Sequence, residues 1–215
     1  MNWIHNQLSK NHAFYKAHIA KGFYICLVVF LVLCTGCYFA LRSMPDLAQK
    51  VYDGFSELLK QNGMLENGAV TAHGILGNNA RSAAVSMALG LLPFLFLPAF
   101  SLLVNGVVIG GVLAVVAAQQ GTSVGQLVVF GLLPHGIFEL PAILLAIAAG
   151  LWLCLNMCRL ILKKPSALPL EEALPALLRL FLLTVLPLLI VAAAIEGYLT
   201  PRLIAMFVST GGTMV

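Results

Sequence analysis

Apolar and polar positions fall in long blocks along this chain rather than in the single-step alternation of a β-strand. Residues 1–21 are polar, carry Lys10, Lys16, Lys21 and three histidines, and contain no acidic residue. Residues 22–41, GFYICLVVFLVLCTGCYFAL, hold no charge and are long enough to cross a bilayer. The basic flank precedes this span, so the rule that positive residues stay inside predicts a cytoplasmic N-terminus, residues 1–21. A polar stretch, 42–79, follows on the extracytoplasmic side. Within it DLAQKVYDGFSELLK sets Leu47, Val51, Phe55, Leu58 and Leu59 on one helical face. That pattern predicts an amphipathic helix on the outer membrane surface or against the bundle. Residues 62–79, rich in glycine and asparagine, read as loop.

Arg81 opens a second expected span at about 82–103, interrupted by Pro93 and Pro98. Prolines kink membrane helices and free carbonyls that neighbours must satisfy. Asn105-Gly106 reads as the turn into a third span, about 106–119, where Gly106 and Gly110 stand four apart. That spacing lets helices approach closely, so it predicts tight packing and keeps a homo-oligomer open. The run from 127 to 162 is then almost wholly apolar. At about 1.5 Å per residue a straight helix over it would measure about 54 Å, against a core of about 30 Å. A break at Pro134-His135-Gly136 is therefore expected, with 127–133 as a short re-entrant piece and 137–162 as the fourth span. Arg159, Lys163 and Lys164 place its end in the cytoplasm. A cytoplasmic linker, 163–179, holds a short helix with Glu171, Glu172 and Arg179. The fifth span, about 180–198 with Pro187 inside, leaves the C-terminus extracytoplasmic.

Composition agrees with this reading. The chain has 215 residues, 60% hydrophobic and only 9% charged, with a mean hydropathy of +0.97. A soluble domain would carry about a quarter charged residues. The fold class expected is all-α, a polytopic membrane bundle of about five spans in one integral domain, 1–215, with the re-entrant piece and the outer amphipathic helix. Barrel strands are set aside because the segments are apolar throughout. The net charge is +4, but the basic residues are scattered, so nucleic-acid binding is not indicated. The bilayer itself is the first expected partner.

The five cysteines all fall in apolar segments. Cys34 and Cys37 form a CxxC with no second pair to complete a zinc site. They read as small buried hydrophobes. LVLCTGC ending at Cys37 resembles a lipoprotein cleavage site, but Cys34 replaces its usual leucine and no signal-peptidase site follows. The segment is therefore read as an uncleaved first span.

The polar residues that remain are the informative ones. Arg81 begins the second span, His135 and Glu139 the fourth, and Glu196 ends the fifth, all on the outer side. His135 and Glu139 are four apart and can share a helical face. A lone ionised carboxylate in hydrocarbon is costly, so each should have a partner or water. Arg81 is the cationic partner expected for Glu139 or Glu196. Pro134 suits a helix start, where its missing N–H costs nothing, and Pro141 lies in the first turn or just beyond. This group reads either as a clasp that locks a broken helix into the bundle or as a site for substrate, protons or a partner. Broken helices with free N-termini are how transporters hold substrates, which gives a small-molecule or lipid permease as the alternative function.

NNAR at 78–81, NGVVIG at 105–110, PHGIFELPA at 134–142 and IEGYLTP at 195–201 together resemble the stage II sporulation protein M family over nearly the whole chain. The motif residues are Asn79, Asn105, Gly106, Pro134, Gly136, Pro141 and Pro201, with HGIFELPA the most specific part. The resemblance implies a polytopic protein without catalysis, acting in endospore-forming bacteria during engulfment. It would hold membrane-anchored cell-wall hydrolases at the septal membrane in a peptidoglycan-remodelling complex. An intramembrane metalloprotease is set aside. Glu171 and Glu172 lie on the cytoplasmic side without a correctly spaced histidine, and zinc needs at least three convergent ligands. No metal and no cofactor is expected.

Overall fold

A computed structural model describes residues 2–61, 65–66, 69–118 and 123–207. It is helical almost throughout. The first helix, α1 (Asn2–Phe14), passes through a π-helical turn, Tyr15–Ile19, into α2 (Ala20–Arg42). Then come α3 (Pro45–Gln61), a two-residue strand pair, β1 (Leu65–Glu66) against β2 (Ala69–Val70), and α4 (Ala72–Ala88). After α5 (Pro98–Ala118), a short α6 (Val124–Gln126) leads through a π-helical Leu127–Leu132 into α7 (Leu133–Ile161). The last rod runs α8 (Leu170–Leu180), π-turn Phe181–Val185, α9 (Leu186–Ala194), π-turn Ile195–Leu199 and α10 (Thr200–Phe207). Four of these stretches are long and apolar enough to cross a membrane: Trp3–Arg42, Pro98–Val116, Val124–Ile161 and Leu170–Phe207. The chain is an all-α membrane bundle.

Several boundaries differ from those the sequence predicts. Of the polar 1–21 stretch, residues 2–21 are helical, continuous with the first span. The 62–79 stretch is not loop to its end, because α4 begins at Ala72, where the Gly74 amide donates to Thr71 Oγ1 at 3.3 Å. Asn105 and Gly106 are not a turn but lie inside α5. The interruption falls earlier, where a 3-10 turn, Leu89–Leu91, gives way to non-helical backbone up to Pro98. The 127–133 piece is helical, and helix runs without a break from Val124 to Ile161, so the break expected at Pro134-His135-Gly136 is absent. Of the amphipathic face expected on α3, the side chains of Phe55, Leu58 and Leu59 lie outside the described residues, as do residues 208–215 of the tail.

The prolines explain the largest miss. Three π-helical turns each end two residues before a proline: Leu132 before Pro134, Val185 before Pro187 and Leu199 before Pro201. A proline in an α-helix clashes with the carbonyl four residues back and cannot donate to it. A π-turn wraps one extra residue and shifts that carbonyl, so the helix absorbs the proline without breaking.

The chain forms two compact units. The first comprises Met1–Val29, Asn79–Leu102 and Leu140–Leu189; the second comprises Phe30–Asn78, Leu103–Glu139 and Ile190–Val215. In the first unit, α7 is buried on every side from Ala142 to Gly150, as expected of a helix apolar all round. Its alanines permit close neighbours, and a Cβ on Gly22 would lie 3.7 Å from Ala148 Cβ. Phe14 meets Trp152 edge-on at 5.1 Å. The non-helical backbone before Pro98 is tied by sulfur. The Phe94 amide donates to Cys158 Sγ at 3.2 Å and Cys154 Sγ donates to the Leu92 carbonyl at 3.4 Å. Phe94 and Phe96 there have φ of 67° and 48°. Asn156 receives the Leu168 amide at 2.9 Å and donates to the Leu168 carbonyl at 2.8 Å, closing the turn after α7.

In the second unit, the glycine face of α5 packs on α2. Cβ atoms on Gly106 and Gly110 would fall 2.9 Å from Leu33 Cβ and 2.7 Å from the Cys34 carbonyl oxygen. Gly111 faces Val51 of α3 in the same way, at 2.8 Å. Leu41, Ala48, Ala114 and Val115 form the core there, with Cys37, Tyr38 and Tyr52 against it. The close approach predicted by the glycine spacing is thus used within the chain.

Candidate functional site

The second unit also gathers the polar residues. His135 and Glu139 stand one turn apart on the first part of α7. Glu196 comes from the π-turn Ile195–Leu199, and Thr200 opens α10. A donor atom from each of His135, Glu139 and Glu196 lies within 4.8 Å of the others. The histidine is buried, 8% exposed, and its Nδ1 sits 3.3 Å from the hydroxyl of Thr200, also buried. Both carboxylates are partly buried.

The local sequence accounts for this convergence. The i, i+4 spacing puts His135 and Glu139 on one face. The π-turn before Pro134 lets the helix enter with that face intact. The π-turn Ile195–Leu199 carries Glu196 to the same point. Gly197 permits the start of α4 to close in, since a Cβ there would lie 2.6 Å from Ala72 Cβ. Phe130 and Phe207 stack at 4.6 Å and pin α10 to the π-helical entry of α7.

Of the four ionisable residues expected together, three meet in one unit. Arg81 lies on the exposed side of α4, within the first unit. The motif residues divide likewise. Asn79 is buried on α4. Asn105 and Gly106 sit inside α5, with Gly106 buried against α2. Pro134 and Gly136 lie in the first turn of α7, and Pro141 is within it. Pro201 is exposed, second in α10.

The unbroken backbone of α7 removes the free helix terminus on which a permease reading leans. The sequence sets metal chemistry aside by weighing Glu171 and Glu172, yet the carboxylates that come to His135 are Glu139 and Glu196. Thr200 escapes notice in the sequence, because a threonine among apolar residues carries no signal until its partner is known. Asn156 escapes for the same reason.

The chain matches the profile of the Stage II sporulation protein M family over residues 25–201. It is also 30% identical, over 129 residues, to an uncharacterised protein of Methanocaldococcus jannaschii, an alignment covering 60% of this chain and 70% of that protein. No solved structure matches. The matched region contains every motif residue named above and runs from α2 through to Pro201, so the chain belongs to the Stage II sporulation protein M family.

Proposed function

We propose that this family member is a non-catalytic membrane scaffold that holds membrane-anchored cell-wall hydrolases at the septal membrane, in a peptidoglycan-remodelling complex of engulfment. Family membership supports a sporulation-related membrane protein, and the finer role rests on how the second unit is built. The observation that carries it is the outer segment. α3 packs through Ala48 and Val51 and keeps Gln49, Asp53 and Glu57 exposed. It thus presents an ordered polar face to whatever lies beside the membrane. Extended apolar faces, such as Tyr24, Ile25, Val28, Leu31 and Val32 of α2, suit the lipid chains or the membrane anchors of partners.

The orientation we propose is N-terminus cytoplasmic and C-terminus extracytoplasmic, with five crossings. α4 with its 3-10 turn supplies the crossing beyond the four long helices. That count keeps Lys10, Lys16 and Lys21 on the same side as Arg159, Lys163 and Lys164, as the distribution of positive residues demands.

The test is affinity capture from membranes of the native host, growing and sporulating, with wild type beside Glu139→Gln. The scaffold reading expects cell-wall hydrolases to be enriched with wild type in sporulating cells. Capture without any such enzyme defeats it.

A further inference from the structure

We propose that His135, Glu139 and Glu196 form a binding site for one first-row divalent transition metal, zinc above all. It would staple α7 to the last helical rod inside the second unit. The inference does not depend on the scaffold reading.

Three observations lead to it. First, the donor atoms already lie within 4.8 Å of one another. Zinc–ligand distances of about 2.0–2.2 Å set the donors of a tetrahedral shell about 3.3 Å apart. Metal binding would have to draw the donors together by up to about 1.5 Å. Second, the charges balance. Two carboxylates this close repel one another when both are ionised. A divalent ion neutralises both at once, and the imidazole binds it uncharged. Third, the histidine is prepared for the role. A metal-bound histidine uses one ring nitrogen and hands the other to a hydrogen-bond partner that fixes its orientation. Thr200 Oγ1, 3.3 Å from Nδ1 and itself buried, is such a partner.

The donor set selects the ion. One imidazole and two carboxylates suit zinc, and an imidazole in the shell disfavours magnesium and calcium, which want oxygen alone. Three protein donors leave one tetrahedral position for water. Binding requires both carboxylates deprotonated and the imidazole neutral, so it releases any proton the cluster holds. The π-turn carrying Glu196 is the kind of local distortion that recurs at functional sites, and here it is what brings the third donor into reach.

The experiment uses the full chain without a polyhistidine tag, in detergent, stripped with chelator and then exposed to zinc or magnesium. Metal retained after desalting is measured by elemental analysis, and thermal unfolding is followed in parallel. Expected is near-stoichiometric retention of zinc but not magnesium, with a higher unfolding midpoint. Glu139→Gln, Glu196→Gln and His135→Gln should each lose retention at least about tenfold, as even disturbing a ligand's support does. Exposed His73→Gln should not. Should the glutamine variants fail to fold, cobalt decides on wild type alone: saturable tetrahedral absorption bands support the site. A wild type that retains no zinc and gives no cobalt bands overturns the proposal, and so do folded glutamine variants that retain zinc like wild type.

Discussion

Gly90 and Gly150 meet backbone to backbone: a Cβ on Gly90 would strike the Gly150 carbonyl oxygen, and one on Gly150 would strike that of Ser86. Nothing flexible lies in the way, so the chain itself would have to move. Gly150→Ala should therefore destabilise the first unit by about 1–3 kcal/mol, the usual cost of overpacking. The readout is the thermal midpoint of the purified protein in detergent. An unchanged midpoint would mean that these helices are not in register as described.

Asn156 and Leu168 offer a second handle. The asparagine is 1% exposed and makes two hydrogen bonds to one residue's backbone. Asn156→Leu keeps the branched shape but orphans both Leu168 groups, which should cost about 1–3 kcal/mol. Asn156→Asp keeps the acceptor for the Leu168 amide but sets a buried carboxylate oxygen against the Leu168 carbonyl, so its loss should shrink at low pH, where the protonated acid can donate. A loss in Asn156→Asp that does not change with pH would show that the pairing with the Leu168 carbonyl does not matter there.

Gly110 separates packing within the chain from packing between chains. Gly110→Leu would drive a side chain into the Cys34 carbonyl and Cys37 Cβ, now 2.7 and 2.8 Å from a bare Cβ position. A loss of about 1–3 kcal/mol in stability, with the oligomeric state unchanged, is expected. A change of oligomeric state at constant stability, read by size-exclusion chromatography with light scattering, would assign that face to a second copy instead.

Topology can be read by cysteine labelling. Ser43 and Ser166 are exposed, in the turn after α2 and the turn before α8. With the native cysteines replaced, Ser43→Cys should react with an impermeant maleimide in intact cells. Ser166→Cys should react only after permeabilisation. Labelling of both from outside would refute the five-crossing arrangement.

How much of this the sequence discloses depends on what each residue must answer to. Uniformly apolar blocks signal helix in membrane, because nothing else hides its backbone there. His135 and Glu139 are legible as a pair through spacing alone, and Glu196 through its place at the end of a span. The interruptions are harder. In a block without polar positions, periodicity cannot report where a helix stops. Asn105-Gly106 looks like a turn yet packs inside α5, while the true interruption before Pro98 is held by Cys154 and Cys158, residues read only as small hydrophobes. The prolines mislead in the opposite direction, because whether one breaks a helix depends on the width of the turn before it.

Those widened turns are slack in the chain. Each residue advances an α-helix by about 100°, but a π-turn closes with one residue more than an α-helical turn would. Removing a single residue between Leu127 and Leu132 would let that turn relax to α-helix and leave His135 and Glu139 close to their present phase. The same deletion in the regular helix between Ala142 and Gly150 would turn every later position of α7 by about 100°. The widened turns therefore act as spare links: a residue can be lost inside one without moving the side chains beyond it, as it cannot be from regular helix.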